Sequence, residues 1–246
     1  MKLIKSFICI ILAVMLTAHF SGCSEKTKSR LEMTPEERLA AALNDLYKGG
    51  NYDINIDIRY DIIDGHNTTE INTEIIKNTD ENGSIAHVKR LNGDYPAEYY
   101  IGDAYYKPDG TLSHPDYPLT LKNETLINDL TLETMGNYTY VDGENFKTYE
   151  FKVGKDNLAN FMHEESQMKA NEAKGSVVLS LNGYLMGIKI KAKTERWISE
   201  NMFYEYDFTL TITVNKINEN TEKIVLPFEP TKKRGLIDYV GKDSKY

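Results

Sequence analysis

Side chains able to do chemistry are few and scattered. Five histidines, His19, His66, His87, His114 and His163, fall in separate parts of the chain. No His-x-x-x-His or Cys-x-x-Cys pair sets two metal ligands on one face, and no Gly-x-Ser-x-Gly turn presents a nucleophile. The acidic run Asp142-Gly143-Glu144-Asn145 lacks the ligand spacing of a calcium loop and reads as a hairpin turn. Glu164 and Glu165 adjoin His163, but successive residues on a helix point in different directions, so they read as a solvated face and not as an acid/base pair. Tyrosine pairs at 99–100 and 105–106 could stack on a sugar; in strands such pairs are usually packing. No catalytic site, cofactor or metal is expected. The one thiol whose surroundings point to chemistry is Cys23.

Lys2 and Lys5 are the only charges before Glu25, and Phe7 to Ala18 is an apolar run. That run is too short for a bilayer-spanning helix, which needs about 20 residues. A basic start, a short apolar core and small residues after it make a secretory signal, residues 1–22. Ser21-Gly22-Cys23 resembles the lipobox of bacterial lipoproteins, with Phe20 where that motif usually has Leu. The resemblance implies that the Cys23 sulfur receives a diacylglycerol and that cleavage makes Cys23 the new N-terminus. Cys9 lies in the discarded signal, so the mature chain has one cysteine and no intramolecular disulfide. Two or more acyl chains give stable anchoring, so the protein is expected at the extracytoplasmic face of the cell membrane, held by lipid without spanning it.

The whole chain carries a formal charge of −8, which becomes −10 without Lys2 and Lys5. Such a balance argues against nucleic acid as a partner, and against peripheral binding to anionic headgroups. Tyrosine is abundant, 17 against 8 Phe and 1 Trp, and suits half-buried strands. About 220 residues after cleavage suffice for one domain with a full core.

Residues 23–33 form the lipidated cysteine and a polar tether. Thr34-Pro35-Glu36-Glu37 then has the form of an N-cap, a first-turn proline and a capping-box glutamate. Leu39, Ala42, Leu43, Leu46 and Tyr47 recur at helical spacing, so a helix is predicted over Pro35–Lys48, stopped by Gly49-Gly50. Residues 51–63, NYDINIDIRYDII, alternate with period two: Tyr52, Ile54, Ile56, Ile58, Tyr60 and Ile62 share one face, and charged or polar residues share the other. Further strands are read at 69–78, 84–91, 97–106, 146–153, 176–181, 184–195 and 203–217. Asn-Gly and Asp-Gly pairs mark several of the turns between them. Two more helices are expected at 123–134 and 155–173, the second ended by Gly175. Residues 229–246 form a polar tail. The predicted fold is α+β: one strongly curved antiparallel sheet of eight or nine strands, a half-barrel over residues 34–228, with two to three helices on its concave face.

The order of lipobox, tether, capped helix, long alternating strand, hairpin meander, helix, long strands and an Ile-Val-Leu-Pro exit at 224–227 resembles the half-barrel lipoproteins related to the lipoprotein-localisation carrier and receptor (LolA/LolB-like). That resemblance implies an apolar cup holding acyl chains, and hence a lipid or lipopeptide as a hydrophobic ligand. Tyr52, Ile54, Ile56, Ile58, Tyr60 and Ile62 would line it from the first strand. Leu210, Ile212 and Val214 would line it from the last, provided Phe208 also faces inward. The same residues would serve as plain core if helices fill the cup, which would leave a structural or protein-interaction lipoprotein.

Overall fold

The computed structural model describes residues 29–47, 50–63, 68–80, 83–102, 104–113, 130–161, 168–199, 202–218 and 224–229. By compactness the chain divides into residues 1–33 and residues 34–246. In the first unit the described part is a single 3-10 turn, Arg30–Glu32, whose Glu32 carboxylate accepts the Ser29 N–H at 3.1 Å. The expected signal and Cys23 lie outside the described residues.

The second unit opens with α1, Pro35–Tyr47. Its predicted capping box is present: the Glu37 N–H donates to Thr34 Oγ1 at 3.2 Å and the Thr34 N–H donates to Glu37 Oε2 at 2.9 Å. Leu39, Ala42, Leu43 and Leu46 are buried along one stripe of it.

Eleven strands form one antiparallel sheet: β1 Tyr52–Ile62, β2 Thr68–Asp80, β3 Gly83–Arg90, β4 Glu98–Ile101, β5 Ala104–Tyr106, β6 Leu112–Ser113, β7 Tyr138–Asp142, β8 Phe146–Val153, β9 Met168–Ser180, β10 Leu185–Ser199 and β11 Met202–Ile217. Their spatial order is β6-β5-β4-β3-β2-β1-β11-β10-β9-β8-β7, so the sheet is open, with β6 and β7 at its edges. Two single-turn helices, α2 Leu132–Met135 and α3 Leu158–Phe161, the latter preceded by a 3-10 turn at Lys155–Asn157, complete the described elements. On the inner face of the sheet, α1 lies against β10, α2 against β8 and α3 against β9. One core cluster runs from α1 through the inner residues of β1, β2, β3 and β8 to β11.

Three expectations are corrected. The strand count is eleven, because 97–106 breaks at Gly102 (φ 59°) into β4 and β5 and because β6 and β7 add to the sheet. Residues 168–173 are not helical; they begin β9. Their Ala, Glu, Lys and Met composition favours a helix, but pairing with β10 overrides that preference. The β9–β10 register shifts at Asn171, which breaks the period-two pattern by one residue. Gly175 ends no helix: it lies within β9, where a Cβ would meet the Lys189 carbonyl and come within 2.8 Å of the Phe151 ring. The expected helix at 123–134 lies mostly outside the described residues; where it is described it does not run through, since Leu130 and Thr131 are not helical and Thr131 N-caps the separate turn α2.

Candidate functional site

The two apolar stripes singled out in the sequence lie side by side. β1 and β11 are neighbours at the centre of the sheet, pairing Ile54 with Val214, Ile56 with Ile212, Ile58 with Leu210, Tyr60 with Phe208 and Ile62 with Tyr206. Asn215 is extra at a bulge opposite Asp53/Ile54, and its side-chain amide donates to Asp53 Oδ1 at 3.0 Å. The shift returns Ile217 to the inner face beside Tyr52. Phe208 faces inward and is buried, as the alternation required.

Burial is graded along this face. Ile54 and Ile56 are 0% exposed and Ile58 is 2% exposed, while Tyr60 and Ile62 beyond them are only half-buried, as is Val214 opposite Ile54. At the Tyr52 end the face is closed. Lys77 lies over the Tyr52 ring at 5.5 Å, and burial pushes the Tyr52 hydroxyl up to about 12. The same burial holds the Lys77 ammonium below its ordinary value. At the other end aromatic rings gather in a half-open rim: Tyr60 is 5.4 Å from Phe208 and 6.3 Å from Tyr206, and Tyr206 stands edge-on to an exposed Tyr204. The inner face is therefore largely apolar, closed at the Tyr52 end and partly open at the other.

Two hydroxyls interrupt it. Thr73, directly across from Ile56 on β2, and Thr194, across from Tyr206 on β10, are buried, and neither Oγ1 has a hydrogen-bond partner. A buried hydroxyl without a partner costs on the order of 1–3 kcal/mol. Alternation within each strand could have pointed to both residues. Neither stands out in the sequence, because Thr is at home in strands.

The rest of the inner lining comes from β8 to β10, where Tyr149, Val177, Ile188 and Ile190 are fully buried. Alternation in LMGIKIKAK marks Ile188 and Ile190; the unbroken apolar run Val177-Val178-Leu179 obscures which of its residues faces inward. Tyr149 also fixes α1 to the sheet, its hydroxyl donating to the Pro35 carbonyl at 2.9 Å. Tyr138 and Tyr140 stack on it at 5.6 and 5.0 Å. Of the tyrosine pairs at 99–100 and 105–106, Tyr106 packs under Phe228 with Tyr99, and Tyr100 packs on Tyr105. They are packing contacts.

On the outer face a groove of about 540 Å³ opens over β7 to β10, lined among others by Lys152, Lys174, Ser176, Lys189 and Lys191. Among the described residues no group of His, Cys, Asp or Glu side chains could hold a metal ion, and no helix is long and apolar enough to cross a membrane.

The chain is similar to several solved structures, all at low identity. A LolA superfamily protein from Nitrosomonas europaea is 11% identical, over 75% of this chain and 93% of that one, with a TM-score of 0.28. The Mycobacterium tuberculosis lipoprotein LppX is 10% identical, over 76% and 98%, with a TM-score of 0.28. An outer membrane lipoprotein-sorting protein domain from Vibrio parahaemolyticus is 8% identical, over 74% and 94%, with a TM-score of 0.26. No family model matches the chain, and no curated protein matches its sequence. At these scores the functional reading rests on the residues of this chain.

Proposed function

We propose that this chain is a membrane-anchored extracytoplasmic lipoprotein, held by Cys23, that binds a hydrophobic ligand (a lipid or lipopeptide) against the inner face of its sheet, without catalysis. The observation that carries this reading is the asymmetry of the apolar face. Helices α1 to α3 lie over β8 to β10, whereas the stripe on β1 and β11 continues past them to the half-open rim of Tyr60, Ile62 and Tyr206. The unpaired Thr194 hydroxyl, opposite Tyr206 at the rim, would supply a donor for a ligand carbonyl or ester. Burying apolar ligand surface contributes about 25 cal/mol per Å², less the cost of association, which brings a single acyl chain to roughly micromolar affinity.

The test is native mass spectrometry of protein purified without its anchor, followed by titration with a fluorescent fatty acid. The expected result is a co-purifying lipid and saturable binding, weakened by Ile62→Trp at the rim while the fold stays cooperative. A parent protein that carries no lipid and binds none saturably refutes the reading. A second reading then stands, favoured by the complete burial of Ile54 and Ile56: a filled core in a structural or protein-interaction lipoprotein.

A further inference from the structure

The outer face is divided by charge in a way the net charge conceals. On β1 and β2 it is acidic: Asp57, Asp61 and Glu70 stand around Arg59, which pairs with Asp61 at 2.7 Å and with Glu70 at 3.1 Å. On β8, β9 and β10 lysines outnumber carboxylates: Lys152, Lys174, Lys189, Lys191 and Lys193 stand against Glu150, Glu172 and Glu195. Lys152 is opposite Lys174, and Lys174 is opposite Lys191, so three ammonium groups line up across three adjacent strands. Lys189 sits one row away beside Ser176, and Lys193 flanks the line opposite Glu172. Like charges directly opposite in a sheet are destabilising. Glu172 relieves only part of this, accepting from Lys152 at 2.6 Å with Lys174 at 3.9 Å, while Lys189 and Lys191 make no ion pair among the described residues. These lysines border the outer groove.

A second feature adjoins it. At the end of the same strands Val141, Phe146, Leu181 and Met186 are 40–48% exposed. Val141 and Phe146 belong to the outer rows of β7 and β8, and Leu181 is in the β9–β10 turn. Rows two residues apart along a strand are about 7 Å apart, so the apolar group lies within roughly 20 Å of the lysines on one surface. A basic field bordered by exposed apolar side chains is what an interfacial membrane-binding surface presents.

We propose that the outer face of β7 to β10 docks on an anionic phospholipid surface, with Lys174, Lys189 and Lys191 toward the phosphates and Phe146, Leu181 and Met186 entering the interface. The inference rests on the anchored reading for its proximity argument. Pro35, the first residue of α1, is bonded to Tyr149 beside β7, so the domain begins at the same edge. The 11 residues from Cys23 to Thr34 reach at most about 40 Å, which keeps that edge near the bilayer. Docking there would leave the inner face and its rim free.

The experiment is vesicle flotation with the mature chain from Ser24, which lacks the acyl anchor. Partition into phosphatidylglycerol/phosphatidylcholine vesicles is expected, with little into pure phosphatidylcholine. Each lysine near an anionic surface contributes about fivefold. Lys189→Glu with Lys191→Glu should therefore lower partition at least tenfold, and Leu181→Ser with Met186→Ser should lower it independently. Both pairs should leave fatty-acid binding unchanged. Ile62→Trp should do the reverse, so failure of docking and failure of the inner-face reading are separable. Equal flotation on neutral vesicles overturns the proposal, as does flotation of the lysine variant equal to that of the parent. So does capture of the parent by soluble heparin without any partition into the anionic vesicles.

Discussion

Ile58→Asp tests the sidedness of the sheet most severely. Ile58 is 2% exposed and faces Leu210 on one neighbouring strand and Ile71 on the other, so no polar group waits for a carboxylate. Ile56 is a softer site, because the Thr73 hydroxyl beside it would meet the new side chain. Losing the isoleucine forfeits about 2–3 kcal/mol of burial. The carboxylate escapes burial as a charge most cheaply by taking a proton. With an unfolded pKa near 3.9, that costs about 4 kcal/mol at pH 7, at 1.36 kcal/mol per unit. The total, about 6–7 kcal/mol, approaches the whole stability of an ordinary domain. The acid's folded pKa would be raised above its unfolded value, so the penalty grows as pH rises through about 4 and shrinks on acidification. Asp57→Ser, one residue away on the outer face, should change stability by about half a kcal/mol or less. The assay is urea denaturation of both variants and the parent at pH 7 and pH 5. Comparable losses for the two variants at pH 7 would refute the one-sided sheet. An Ile58→Asp penalty that does not shrink at pH 5 would refute the buried-acid explanation.

Thr73→Val removes an unpaired buried hydroxyl at nearly constant volume; it should stabilise the ligand-free protein by about 1 kcal/mol in the same melts, and a loss instead would mean that the hydroxyl has a partner. Gly175→Ala would place a Cβ 2.8 Å from the Phe151 ring and against the Lys189 carbonyl, and should lower stability by about 1–3 kcal/mol; a neutral result would show that β8 and β9 yield there. His87, half-buried beside Tyr99, is held below its ordinary pKa chiefly by burial, so it is neutral in the fold. Its contribution is present above about pH 6.5 and is lost as pH falls through the lowered folded value, and His87→Phe should flatten stability between pH 7 and 5 relative to the parent. Cys23→Ala should release the protein from membranes or block its processing; membrane fractionation and cleavage identical to the parent would refute the lipobox reading.

Much of the inner face was legible because its signals are local. The alternation of residues 51–63 specifies a strand and also which face is buried, and the capping box at Thr34 fixes the start of α1 within one turn. What a sequence does not carry is which strands lie together. Nothing in residues 51–63 or 203–217 says that they pair at the centre of the sheet, yet that pairing turns two apolar stripes into one surface. The β9 error has a different origin, since helix-forming residues were placed in a strand by a partner that is itself a long strand, β10. The basic field was hidden twice. Its lysines alternate with Ile and Ala in β10 and so look like ordinary solvated positions, and the chain's total of −8 suggests the wrong sign for that surface.

The topology also explains why the two faces can serve different purposes. The sheet grows outward on both sides from the β1–β11 pair, and its edges end in the two-residue β6 and the five-residue β7, short enough to discourage pairing with other chains. An open sheet with one largely apolar face needs that face covered, and α1 to α3 cover it from the β8–β10 side, where Tyr149 fixes α1. The cover thins toward Tyr60 and Ile62, on the half whose outer surface is acidic. An anionic bilayer attracts the β8–β10 half from outside and repels the acidic one. The same charge division that holds β8 to β10 against the membrane would turn the half-open rim away from it, so a hydrophobic ligand could enter the inner face without competing for the docking surface.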